Sequence, residues 1–166
     1  MPEEMKDEII AIAGKLFDEG RIHHFLGYKK GTVKFKTTPL IALNREDLQV
    51  LWVEDFFAAN LALYLKEIKG KVGLLVKGCD SRALVSLIKE GQVKREDLYI
   101  LGIPCPGQID LRKVAEEGGC EKEELGEIVR RGPDVSIQVN GQERILPMAR
   151  TLLDKCLDCR YPKPLI

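Results

Sequence analysis

Apolar positions near the start of the chain recur at helical spacing. Met5, Ile9, Ile12, Ala13, Leu16 and Phe17 form one stripe over residues 3–19, and Gly20 stands where a helix C′ residue belongs. In "TVKFKTTPLIAL" the pattern alternates and then becomes a continuous apolar run, which predicts one or two short strands around Pro39. "EDFFAANLALYLKEIKG" returns to helical spacing, with Phe57, Leu61, Tyr64, Leu65 and Ile68 as its stripe and Gly70 at its end.

The middle of the chain carries the clearest pattern. "KVGLLVKG" reads as a buried strand and "DSRALVSLIKEG" as a helix, with Asp80 or Ser81 available as N-cap and Gly91 at its far end. "LYILGIP" reads as a second buried strand. Strand, helix and strand at this spacing make a βαβ unit, which requires parallel strands and a right-handed crossover. The expected fold is therefore α/β, with a parallel-sheet βαβ core.

Further on, "LRKVAEE" predicts a short helix and "AEEGGCEKEELGE" a solvated acidic surface. The segments "EIVRR", "VSIQV" and "QERILPM" surround "RRGPD" and "VNGQ". The Asn140-Gly141 pair favours a type I′ turn, so a C-terminal β-hairpin is expected. A last short helix, "ARTLLDKC", leads into the cysteine-bearing tail "CLDCRYPKPLI". The chain closes on Leu165-Ile166 without a polar tail, which raises the expectation of a piece of a longer subunit.

Length and composition narrow the class. The 166 residues predict a single domain over 1–166, and 45% hydrophobic content suffices for a core. The 26 basic and 26 acidic residues balance, which argues against a nucleic-acid partner held by phosphate contacts. No apolar run reaches the length of a transmembrane segment. "MPEEMKDEII" is acidic and amphipathic, unlike a secretory signal, so a cytoplasmic location is expected. "GYKKGT" lacks the Walker A spacing, and no GxGxxG, HExxH or GxSxG occurs.

Five cysteines, Cys79, Cys105, Cys120, Cys156 and Cys159, are many for a reducing compartment, and an odd number argues poorly for disulfides. Buried thiols acting as small hydrophobes are the plain alternative. Cys79 and Cys105 each follow a βαβ strand, at the carboxyl edge where ligands gather in parallel α/β folds. The helix start beside Cys79 supplies backbone N–H groups and a positive dipole end, which favour a thiolate. Gly78 lets the backbone come close there. Asp80, Ser81 and Arg82 complete the candidate cofactor-binding group, although Asp80 and Ser81 already have work as helix caps. Pro104 and Pro106 stiffen the loop around Cys105.

Cys156-Leu-Asp-Cys159 is a CxxC pair, able to ligate zinc, ligate an iron–sulfur cluster or form a redox disulfide. It follows a helix rather than opening one, which disfavours thioredoxin-like chemistry. With Cys79 and Cys105 the pair brings the count to the four thiolates a cluster needs. Zinc also takes four cysteines, but usually from two CxxC pairs. Cys120 sits among carboxylates that disfavour a thiolate, and is left outside the set.

At "GYKKGT", "VKGCDSRALVSLIKEGQVKREDLYILGIPCPGQID" and "CLDCRYPKP" the chain resembles the beta-subunit family of the deazaflavin-reducing hydrogenases and formate dehydrogenases, in particular an iron–sulfur electron-transfer branch. The resemblance runs from about Gly27 to Pro164. It implies an α/β domain with a cysteine-bound [4Fe-4S] cluster, working inside a multi-subunit oxidoreductase. The family's cluster ligands map onto Cys79, Cys105, Cys156 and Cys159. Longer members also bind a flavin and reduce the deazaflavin, using sequence beyond such a domain, which makes a flavin a doubtful second cofactor here and leaves the deazaflavin chemistry out.

Three readings stand in order. The first is an electron-transfer protein with one [4Fe-4S] cluster, partnered by other oxidoreductase subunits or redox proteins. The second is a flavin- or deazaflavin-binding subunit with the cluster as relay. The third is a structural zinc module.

Overall fold

The helical stripe at the start of the chain forms α1 (Glu3–Asp18), and its Ile9, Ala13 and Leu16 are buried. The computed structural model describes residues 3–53 and 56–165. The chain divides into two units, one formed by Met1–Pro106 with Tyr161–Ile166 and the other by Gly107–Arg160.

The first unit is built on a four-stranded sheet of order β2-β1-β3-β4, from β1 (His24–Lys30), β2 (Thr37–Ala42), β3 (Val72–Val76) and β4 (Leu98–Gly102). β1 runs antiparallel to β2 and parallel to β3, and β3 runs parallel to β4, with Val72 opposite Leu98 and Val76 opposite Gly102. Every residue of β3 is buried, which is what its uninterrupted apolar run requires of a central parallel strand. Helix α2 (Gly78–Lys89) connects β3 to β4 and buries Leu84 and Leu87. The α/β class and the parallel β3–α2–β4 core expected from the sequence are both present.

Two local features depart from the sequence pattern. The expected helix over 54–70 is a 3-10 helix confined to Leu61–Glu67, and Glu54 and Asp55 lie outside the described residues. The Asn60 side chain accepts the Ala62 N–H at 3.0 Å and so caps a start at residue 61. The carbonyl just before it, on Ala59, is taken by the Tyr28 hydroxyl at 2.7 Å and the Lys77 ammonium at 2.9 Å. An apolar stripe alone does not reveal such commitments. Helix α2, in turn, begins at Gly78, ahead of both expected caps. Asp80 stands in its first turn and accepts the N–H of Lys77 at 3.2 Å, so it caps from inside the helix.

The second unit holds α3 (Leu111–Gly118), an antiparallel sheet of β5 (Leu125–Arg131), β6 (Asp134–Val139) and β7 (Gln142–Pro147), then α4 (Met148–Thr151) and α5 (Asp154–Leu157). Asn140 and Gly141 turn between β6 and β7 with φ of 50° and 80°, the pair of positive values that a type I′ turn demands. Val135, Ile137 and Val139 of β6 are buried, as are Val114 and Ala115 of α3. The helix expected over "ARTLLDKC" is split. Leu152 is extended and pairs antiparallel with Ile109, with Asp110 N–H bonded to Thr151 O at 2.7 Å and Leu153 N–H to Gln108 O at 2.9 Å. Satisfying these backbone groups outweighs one more helical turn. Among the described residues, no helix is long and apolar enough to cross a membrane.

Candidate metal centre

In the first unit the strand-to-helix junction sets Cys79 in the first turn of α2, exposed, one residue after the buried Gly78. Cys105 lies three residues beyond β4 and is half-buried. Both thiols act on one reporter. The Tyr28 hydroxyl is held well above the usual phenol range, first by burial and then by the neighbouring Asp80, Cys79 and Cys105. Val76 and Gly102, the last residues of β3 and β4, stand opposite each other, so the two cysteines follow the ends of adjacent parallel strands.

The last residues of the chain cross this edge. Pro162 O accepts the Cys105 N–H at 2.7 Å, and Leu165 N–H bonds Ser81 Oγ at 3.3 Å. The Arg82 guanidinium lies 5.4 Å from the centre of the Tyr161 ring. A Cβ on Gly78 would stand 1.8 Å from Tyr161 O, so only glycine leaves room for the crossing segment. Of the four residues read as cofactor contacts, Gly78, Ser81 and Arg82 thus meet the chain's own Tyr161–Leu165, while Asp80 caps α2 and binds Lys77.

In the second unit, Cys156 belongs to α5 and is half-buried, and Cys159 follows in the next turn, exposed. The Gln108 backbone N–H donates to Cys156 Sγ at 3.4 Å, the kind of bond that stabilises a thiolate ligand. Gly107 makes this approach possible: its φ is 97°, and a Cβ there would press on Leu152 at 3.1 Å. Cys120, half-buried after α3, has its thiol pushed up by burial first and by Glu124 next.

Among the described residues, no group of three or more His, Cys, Asp or Glu side chains is gathered in the manner of a metal site. The donor chemistry still fits a thiolate-bound group at each end. One pair of cysteines follows the ends of adjacent parallel strands, and another is a CxxC turn whose first sulfur already accepts a backbone N–H. Sequence reasoning missed Lys77 and Tyr28. A lysine closing an apolar run looks like an ordinary strand end, and nothing in the pattern pairs it with a tyrosine 49 residues earlier.

No family model matches the chain. The "F420-dependent formate dehydrogenase 1 subunit beta" of Methanococcus maripaludis is 26% identical over 113 residues, which are 65% of this chain and 29% of that protein. A chain of the F420-reducing [NiFe] hydrogenase complex from Methanosarcina barkeri superposes with a TM-score of 0.69 at 15% identity, covering 91% of this chain and 58% of that one. The chain thus spans less than a third of the first relative and under two thirds of the second. The hydrogenase likeness concerns the fold alone. The chain is therefore similar in sequence to the beta subunit of an F420-dependent formate dehydrogenase and shares its fold with a chain of an F420-reducing hydrogenase complex.

Proposed function

We propose that the chain is an electron-transfer subunit of an oxidoreductase complex and carries one [4Fe-4S] cluster on Cys79, Cys105, Cys156 and Cys159. Such a cluster supplies one-electron transfer without proton abstraction or a nucleophile. In this reading the protein's own residues fix the sulfurs. Gly78 admits the crossing Tyr161–Leu165 segment, Gln108 N–H steadies Cys156, and Ser81 and Arg82 hold the segment that follows Cys159. The partners are other oxidoreductase subunits or redox proteins, and the setting is the cytoplasm.

The observation that carries the reading is covalent. The chain leaves the first unit just after Cys105 and returns just after Cys159. Cys105 is three residues from Gln108, whose N–H reaches Cys156 Sγ, and Cys159 is three residues from Pro162, whose carbonyl reaches the Cys105 N–H. Three peptide units span at most about 11 Å. Along the chain, then, the CxxC pair ends three residues before the carbonyl that takes the Cys105 N–H.

Anaerobic reconstitution with iron and sulfide tests the reading. The expected product contains iron and acid-labile sulfide and gives an EPR signal on reduction. Cys79→Ser, Cys105→Ser, Cys156→Ser or Cys159→Ser should abolish that signal, and Cys120→Ser should leave it. Protein that binds zinc and no sulfide would overturn the electron-transfer assignment.

A further inference from the structure

Lys77 is a charged side chain in the interior, 2% exposed, directly beneath the turn that carries Cys79. Its ammonium lies 2.7 Å from Asp80 Oδ2 and 2.9 Å from Ala59 O, and it donates to the Tyr28 hydroxyl. The ring centres of Tyr28 and Phe57 stand 4.7 and 5.1 Å away. Asp80, 1% exposed, uses its other oxygen to accept the Cys79 thiol at 3.8 Å. A line of polar contacts thus runs from the exposed Cys79 sulfur through a buried carboxylate to a buried ammonium.

Folding alone does not explain these charges. A buried ion pair contributes little net stability against an apolar pair of similar size, because desolvation offsets the attraction. The capping bond from Lys77 N–H needs only an acceptor, which a neutral Asn would provide. The charges do have a consequence at the neighbouring sulfur. In a low-dielectric interior a fixed charge acts strongly on any electron stored a few ångströms away.

We propose that the buried Lys77–Asp80 pair is a positioning and charge-compensating element that sets the reduction potential of the group ligated by Cys79. The proposal rests on the cluster reading above. The carboxylate nearest the sulfur disfavours an added electron, and the ammonium behind it offsets that effect. Removing either partner leaves the other uncompensated, so the two removals shift the potential in opposite directions.

The test is the midpoint potential of anaerobically reconstituted protein, followed by EPR, in wild type, Lys77→Gln, Asp80→Asn and the double variant. The potential should fall in Lys77→Gln and rise in Asp80→Asn, and the double variant should return toward wild type. A role limited to packing would produce shifts of one sign or none, and either result overturns the proposal. Should Lys77→Gln fail to fold by circular dichroism, the sign of the Asp80→Asn shift decides alone: a fall or no change refutes the charge role. Wild-type protein that takes up no iron or sulfide instead refutes the cluster reading, and this proposal falls with it.

Discussion

Gly78→Ala is the most informative single substitution in the first unit. A methyl group there would sit 1.8 Å from Tyr161 O and 3.1 Å from Lys163 O. The carbonyl must retreat by at least about 1.2 Å before the contact becomes tolerable. Neighbouring bonds hold the segment in place, Cys105 N–H to Pro162 O and Leu165 N–H to Ser81 Oγ. Losing both costs ~1–3 kcal/mol at the usual ~0.5–1.5 kcal/mol each. Alanine would otherwise improve helix α2 by up to ~1 kcal/mol over glycine. The expected net change is a loss of up to ~3 kcal/mol, centred near ~1.5 kcal/mol, about 2–4 °C of melting temperature per kcal/mol at this chain length. Urea titration and thermal melting by circular dichroism measure it directly. A Gly78→Ala protein as stable as wild type, or more so, would mean that Tyr161–Leu165 is not seated on the start of α2, and the account of this edge would fail.

Other consequences can be checked alongside. Tyr28→Phe removes the donor to Ala59 O and one partner of the Lys77 ammonium, and should cost ~1–3 kcal/mol in denaturant unfolding, whereas a change under about 0.5 kcal/mol would show the hydroxyl to be idle. Asp110 caps α3 through the Arg112 N–H at 2.9 Å, and Asp110→Ala should cost ~1 kcal/mol. Burial acts to raise the Asp110 carboxyl, but its bonds to Arg112 outweigh that and hold it below the ordinary 3.8. Its contribution to stability is therefore present above pH 3.8 and lost as the pH falls through the lower folded value, so the Asp110→Ala deficit should shrink in acid melts. Cys120, with its thiol pushed up by burial and Glu124, should react with iodoacetamide more slowly at neutral pH than a free cysteine peptide, as mass spectrometry of the labelled peptide would show.

The legible parts of the chain were those in which side-chain pattern and burial coincide. β3 is buried on both faces, so its apolar run could mean little else, and the Asn140-Gly141 turn needs positive φ at both residues. Cys79 and Cys105 follow from the same pattern, because strand ends locate them. What stayed hidden depends on backbone groups. The 3-10 helix at Leu61–Glu67 and the break at Leu152 were decided by carbonyl and N–H partners far away in sequence. The crossing of Tyr161–Leu165 over Gly78 is a matter of main-chain proximity, and a glycine ahead of a cysteine in sequence carries no trace of it. Lys77 escaped notice for a related reason: its charge is compensated by a residue three positions ahead and a hydroxyl from another strand.

The hydrogen bond between Cys105 and Pro162 has a further bearing on how such a chain is assembled. It joins the two cut ends that would remain if residues 107–160 were excised. A segment whose exit and entry points are already fastened together resembles a cassette, which can be exchanged or lengthened without reshuffling the strands of its host. The inserted segment is then free to change length or sequence while the host keeps the bond between 105 and 162.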